Sequence, residues 1–309
     1  MLNIQKDVSL VQYTTFKIGG SAKFFVEVKN EEEIIEAVKY AKENNLESFI
    51  LGGGSNLLVS DKGFDGLVIR VRNLELRIRN EIVECGVGIN LSKFVLKLAK
   101  KNLSGLKWAV GIPGTVGGAV IGNAGAFGGE IKDNLKEVKA FNLESNEIKI
   151  YKNNDCKFGY RDSIFKRNYG KTILISVKFK LEKNKKINDR KKIDEIIKKR
   201  KEKQPQYLSA GSFFKNPIVE NKKIIENFEK DTGLKIKGNK IPVGWLVESI
   251  GFKGKQIGGA KVSEKHGNFI INTGDATAED VIILSSLIKQ KVRSKFEIQL
   301  EEEIRMVGF

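Results

Sequence analysis

Residues 111–129 read GIPGTVGGAVIGNAGAFGG, and eight of the chain's 31 glycines fall within them. A stretch so poor in large side chains buries little apolar surface and adds little to a core. It is better explained as backbone lying close to a flat, bulky ligand, where missing Cβ atoms permit the approach. In this reading Pro113 opens a short helix whose N-terminus can face phosphates. Asn123 and Ala124 then reach the ring end, by a hydrogen bond and a backbone contact. A second loop, Gly52-Gly53-Gly54-Ser55-Asn56, sits between two apolar strand-like runs. Alone it fits either a phosphate nest of successive N–H groups or a tight β-turn. Together the two loops suit a dinucleotide whose pyrophosphate is gripped from both sides. Neither is a G-x-G-x-x-G leading into a long helix, which argues against a Rossmann NAD site. Spacing does not say which nucleotide binds.

The remaining pattern alternates strands and helices, as an α+β protein does. AKFFVEV (22–28) reads as a strand, and Asn30 with Glu33 forms a capping box for a helix burying Ile34, Ala37, Val38 and Ala41. Strands follow on both sides of the 52–56 loop, and Asn90 caps the amphipathic LSKFVLKLAKK helix. Strand-like runs recur at 136–143, 147–151 and 172–181. A basic helix at 188–203 ends in a Gln204–Pro205 break that marks a boundary. Beyond it, Pro242 opens a helix ended by Gly251, Thr277 caps a long helix, and EIQLEEEIRMVGF closes the chain as a strand.

A net charge of +17 raises the possibility of an anionic partner. Its distribution points elsewhere: residues 183–203 hold eleven Lys or Arg against four Asp or Glu, concentrated in one helix and its lead-in. Ile193, Ile196 and Ile197 give that helix a thin apolar stripe, so it packs on a domain with its basic face in water. Basic residues interleaved with aromatics, as stacking on bases requires, are lacking, and no nucleic-acid partner is expected. The two cysteines, Cys85 and Cys156, have no metal or redox spacing and read as buried thiols in a reducing cytoplasm. With His266 as the one histidine, no metal site is expected. No run approaches the roughly 20 apolar residues of a membrane span.

Seven collinear motifs carry a family resemblance: YTTFKIGG (13–20), LGGGSNLLVSDKGFDGLVI (51–69), GIPGTVGGAVIGNAGAFGGEI (111–131), GYRDSIFK (159–166), AGSFFKNP (210–217), QIGGAKV (256–262) and EEIRMVG (302–308). The chain resembles the UDP-N-acetylenolpyruvoylglucosamine reductases. The resemblance implies a two-part FAD-binding region of the vanillyl-alcohol-oxidase type and a C-terminal α+β substrate-binding domain. In those terms, residues 1–60 and 61–185 are FAD-binding subdomains, 186–204 a basic linker helix, and 205–309 the substrate domain. NADPH would reduce non-covalent FAD, and reduced FAD would pass a hydride to UDP-N-acetylglucosamine enolpyruvate, giving UDP-N-acetylmuramate for peptidoglycan. A cytoplasmic monomer without membrane partners is expected. Only residues 182–211 separate the strand ending at Leu181 from Ser212, which resembles the shorter of two family types, whereas YRDSIFK resembles the longer.

The resemblance also assigns residues. Ser212, which alone reads as a turn or cap serine, is matched to the proton donor. Arg161 and Glu303 match the other catalytic positions. A planar guanidinium suits the substrate carboxylate and the charge of a forming enolate. Glu303 would serve best protonated or hydrogen-bonded, since an ionised carboxylate repels an enolate; its neighbours Glu301 and Glu302 make surface charge the competing role for part of the run. Cofactor contacts are expected at Gly53, Gly54, Ser55, Asn56, Leu57, Pro113, Gly114, Thr115, Gly118, Gly122 and Asn123. Substrate contacts are expected at Tyr160, Lys203, Asn216, Gln256 and Arg305. Two other functions fit parts of the pattern: an oxidase of the same fold acting on another sugar or alcohol, and an anion-binding module.

Overall fold

The computed structural model describes residues 2–183, 188–236 and 238–309. Two compact units emerge, each assembled from separated segments: Met1–Val8, Ala22–Gly54 and Phe64–Glu202 form one, and Ser9–Ser21, Ser55–Gly63 and Lys203–Phe309 the other.

The first unit contains two larger sheets and two two-stranded ones, Gly125–Ala126 with Gly129–Glu130 and Leu103–Ser104 with Glu182–Lys183. In the four-stranded sheet, Phe64–Val71 lies between parallel neighbours Ser21–Val28 and Ser48–Leu51, with Gln5–Ser9 at the far edge. A central parallel strand is covered on both faces, and accordingly Leu67, Val68 and Ile69 are fully buried. The helix Glu31–Glu43 buries Ile34, Ala37, Val38 and Ala41. Asn30 accepts the Glu33 N–H at 2.9 Å, while the Glu33 carboxylate reaches one residue beyond the expected box, to the Lys29 N–H at 2.7 Å. The five-stranded sheet is antiparallel throughout, in the order Glu147–Lys152, Leu135–Asn142, Thr172–Lys180, Ile82–Gly86 and Leu76–Arg79. The helix Leu91–Lys100, capped by Asn90 as expected, packs Phe94 on Phe179 with ring centroids 5.8 Å apart. The basic helix Asn188–Lys203 buries Ile193 against the same core and leaves Lys191, Lys192, Lys198, Lys199 and Lys201 exposed. Its lead-in at 184–187 lies outside the described residues.

The second unit is built on a small antiparallel sheet, Leu208–Ser209, Ile270–Asn272, Ala260–Val262 and Gln256–Ile257. Helices Lys222–Thr232, Val243–Ser249 and Ala278–Phe296 contribute to a core containing Phe16, Phe213, Phe214, Leu246, Val281 and Ile288. Asp61, from the 55–63 segment, accepts the Ala278 N–H at 2.9 Å, so a carboxylate meets the positive end of the long helix. The C-terminal run is strand only over Arg305–Val307, which pairs in parallel with Leu57–Val59. The longer strand expected from EIQLEEEIRMVGF does not form. Glu297 turns left-handed at φ 59° to end the preceding helix, and before Arg305 one bridge remains, Phe214 with Glu302.

Both thiols are buried, and burial drives Cys85 up and Cys156 to about 12, so neither is a reactive thiolate at neutral pH. Among the described residues, no helix is long and apolar enough to cross a membrane, and no cluster could hold a metal ion.

Candidate active site

In the first unit the two glycine loops meet backbone to backbone. A Cβ on Gly53 would lie 2.5 Å from Gly114 Cα, and one on Gly52 would lie 3.0 Å from Thr115 Oγ1. Gly54 and Gly114 have φ of +61° and +105°, which L side chains adopt only with strain. The short helix begins later than the sequence suggests: it spans Val116–Ile121, and Thr115, not Pro113, is its cap, accepting the Gly118 N–H at 3.3 Å. The Gly122 N–H is donated to Gly118 O. What Gly118 and Gly122 offer a ligand is therefore close backbone approach.

Asn123 has a role inside the protein that the sequence did not indicate. Its side chain is fully buried. Nδ2 donates to Glu130 Oε2 and to Gly159 O, both at 2.9 Å, and Oδ1 accepts the Lys132 N–H at 3.1 Å. Asn123 ties the glycine segment to the turn bearing Arg161. Gly159 and Asp162 close that turn by mutual backbone hydrogen bonds, and Arg161 occupies it at φ 54°, left-handed for a non-glycine residue. Two further bonds join the same segments: Ser163 Oγ to Ile121 O at 2.7 Å, and Arg161 Nη2 to Gly125 O at 2.9 Å. The guanidinium lies 5.3 Å over the Tyr160 ring. Burial alone would raise the nearby Glu130 carboxyl, but hydrogen bonds from Lys132 and Asn123 hold it below the usual carboxylate range. Arg161 thus sits beside a carboxylate that stays charged.

Sequence reasoning missed Arg200, one of eleven basic residues in its run. Its Nη2 donates to Trp108 O at 3.1 Å, its Cδ lies 3.1 Å from where a Gly111 Cβ would sit, and its guanidinium is 5.1 Å over the Phe127 ring. Burial pushes this guanidinium down from its ordinary value, though an arginine remains charged. Arg200 Nε and Trp108 Nε1 are buried donors with no hydrogen-bond partner among the described residues. A backbone cradle flanked by unsatisfied buried donors fits a flat cofactor rich in acceptors, as FAD is. Nothing in the charge pattern distinguishes Arg200; only the packing does.

The second unit brings Ser212 and Glu303 onto neighbouring segments. Gly211 has φ 80°, and beyond Ser212 the rings of Phe213 and Phe214 meet edge to face at 4.9 Å. The Glu303 N–H donates to Phe213 O at 2.8 Å, and Glu303 O accepts from Asn56 Nδ2 at 3.0 Å. One amide hydrogen of Asn56 therefore holds the Glu303 backbone, a role the glycine-loop reading did not foresee. Glu301 pairs with Lys215 at 2.9 Å and Glu302 with Lys289 at 2.8 Å. Leu57 is strand, paired with Arg305, and Ser55 is half-buried. Asn216 Oδ1 accepts the Val243 N–H at 3.0 Å, completing the helix start at Pro242 and fixing the orientation of its amide. Gln256 Nε2 donates to Gly258 O at 2.8 Å, and Lys203 is exposed at the end of its helix.

Known proteins bear on this arrangement. Residues 22–149 match the FAD binding domain family. With the glycine cradle, that makes the chain a flavin-binding protein of α+β fold. Residues 204–307 match the C-terminal domain of UDP-N-acetylenolpyruvoylglucosamine reductase. The chain is 40% identical over 307 residues to the reductase of that name from Caldicellulosiruptor bescii, covering 98% of this chain and 90% of that one. It is 38% identical to the Syntrophomonas wolfei protein, covering 96% and 92%. The crystal structure of the Thermus caldophilus reductase superposes with a TM-score of 0.79 at 32% identity, covering both chains fully. The chain belongs to the UDP-N-acetylenolpyruvoylglucosamine reductase family.

Proposed function

We propose that this chain reduces UDP-N-acetylglucosamine enolpyruvate to UDP-N-acetylmuramate for peptidoglycan synthesis, with NADPH as reductant. The observation that carries the reading is full-length family membership joined to a glycine cradle of the required kind. Bound FAD, reduced by NADPH, supplies the hydride received by the terminal enolpyruvyl carbon. Gly53, Gly54, Pro113, Gly114 and Thr115 would hold it by backbone approach, with Gly118, Gly122, Ser55, Asn56 and Leu57 completing the loops. Arg200 adds a half-buried positive charge beside the glycine segment.

The chain's own side chains then handle charge and a proton. Arg161 holds the substrate carboxylate, and its guanidinium offsets the negative charge that grows as the enolate forms. Ser212 gives its hydroxyl proton to the adjacent carbon, completing the reduction. A serine is a weak acid, but an enolate carbon is strongly basic, so little acidity is demanded. Glu303 acts at the same end as a hydrogen-bonding partner. Tyr160, Lys203, Asn216, Gln256 and Arg305 bind the UDP-sugar. His266 has a structural place: its Nδ1 accepts the Asn268 N–H at 3.1 Å and its ring packs on Phe269.

The test separates the half-reactions. In Ser212→Ala, NADPH should reduce the flavin at the wild-type rate, while reoxidation by the enolpyruvyl sugar falls about 10²–10⁴-fold. Equal reoxidation rates in the two proteins would sink the role.

A further inference from the structure

We propose that Asn268 is the positioning residue for Ser212, fixing the backbone that carries its hydroxyl. This rests on the reading of Ser212 as proton donor.

The two residues after Ser212 present four backbone hydrogen-bonding groups, and Asn268 takes three of them. The Phe213 N–H donates to Asn268 O at 2.8 Å. The Phe214 N–H donates to Asn268 Oδ1 at 3.0 Å, and Asn268 Nδ2 returns a bond to Phe214 O at 2.8 Å. A single side-chain amide thus pairs with both backbone groups of Phe214, as a neighbouring strand would. The fourth group, Phe213 O, accepts from Glu303 N–H. On the other side of Ser212, Gly211 is left-handed, open space surrounds where its Cβ would be, and its N–H makes a long 3.4 Å bond to Ser209 Oγ. The residues after Ser212 thus carry the denser set of backbone restraints.

Asn268 is itself fixed. It is 4% exposed, and its N–H is donated to His266 Nδ1. Buried and bonded through both its backbone and its amide, it acts on the reaction through Ser212 and not by touching substrate. A misplacement of about 1 Å in a reacting group can cost on the order of 10² in rate, so loss of the clamp should appear in proton delivery.

The experiment uses full-length, FAD-loaded protein in anaerobic rapid mixing. Asn268→Ala keeps the main-chain bond to Phe213 and removes both bonds to Phe214. Reoxidation by UDP-N-acetylglucosamine enolpyruvate should slow about 10- to 100-fold, with NADPH-driven reduction changed less than about twofold. In a Ser212→Ala background the same substitution should slow reoxidation no further. Asn268→Asp provides a second reading: ionised, it lacks the donor to Phe214 O, and protonated it regains one. Its reoxidation deficit relative to wild type should shrink as pH falls. The proposal is overturned by wild-type reoxidation in both variants, by equal slowing of both half-reactions, or by an additive fall in the Ser212→Ala background. Failure of the underlying reading is read separately, from Ser212→Ala with Asn268 intact: an unchanged rate there removes the proton-donor role itself.

Discussion

Arg161 and Ser212 are held in place by different means. Arg161 stands in a left-handed turn, braced by side-chain hydrogen bonds: Asn123 on Gly159 O, Ser163 on Ile121 O, and Lys166 Nζ on Arg161 O at 2.9 Å. Ser212 has no left-handed φ, and the two residues after it are secured by ladder-like bonds to Asn268 and Glu303. The first arrangement stores backbone strain, which surrounding polar contacts must over-determine. The second stores little strain but depends on pairing with two other segments of the second unit. Aiming one side chain is achieved once by a strained turn braced by side chains and once by backbone pairing.

The largest expected effect breaks the Arg161 side. Arg161→Ala and Arg161→Gly should both slow substrate-driven flavin reoxidation about 10²–10³-fold, the cost typical of losing one charge-stabilising donor. Their stabilities should differ in the reverse sense to residue size: glycine at φ 54° should be more stable than alanine by about 1 kcal/mol in urea unfolding. Equal stability would mean that the turn carries no strain.

Next comes the brace. Asn123→Leu leaves Gly159 O, the Glu130 carboxylate and the Lys132 N–H short of a partner, and should cost about 3 kcal/mol, read from the denaturation midpoint. A change below 1 kcal/mol, on the order of a surface substitution, would show that the knot is dispensable.

A sharper contrast lies within the C-terminal carboxylates. Glu301→Gln and Glu302→Gln break half-exposed or exposed pairs with Lys215 and Lys289 and should change stability by less than about 1 kcal/mol, leaving turnover intact. Glu303→Gln should lose turnover. Similar behaviour of all three would mean that Glu303 has no role of its own in turnover.

The smallest effect concerns pH. Burial holds His266 below its ordinary value, opposed by Glu248 and aided by Lys253, and its neutral Nδ1 accepts the Asn268 N–H. The unfolded chain therefore takes up the proton first as pH falls. The stability from neutral His266 is complete above the unfolded-state pKa and is lost as pH drops below it toward the folded value. Thermal unfolding of His266→Gln should lack that part of the acid slope; an identical slope would show that the imidazole is not linked to folding.

Much of this architecture was legible in the sequence because its signals are local. Asn30, Asn90 and Thr277 announced their helices, since a cap needs only the next few residues. Gly53 marked a close backbone approach, since a Cβ there would lie 2.5 Å from Gly114 Cα. The clamps were less visible. Asn123, Asn56 and Asn268 each bond to backbone far along the chain, and an asparagine's sequence neighbours do not reveal a distant carbonyl. Arg200 was hidden among equivalent charges, and packing on Gly111 singles it out. The assembly of each unit from separated segments is likewise a property of packing that no reading along the chain contains.

The most direct measurement of the central claim is made on the wild-type protein without oxygen. The flavin is first reduced with NADPH, and UDP-N-acetylglucosamine enolpyruvate is then added. Return of the oxidised-flavin absorbance with stoichiometric UDP-N-acetylmuramate is the expected result. Flavin that stays reduced in the presence of the sugar, yet reoxidises rapidly in air, would contradict the account and make the protein an oxidase of the same fold.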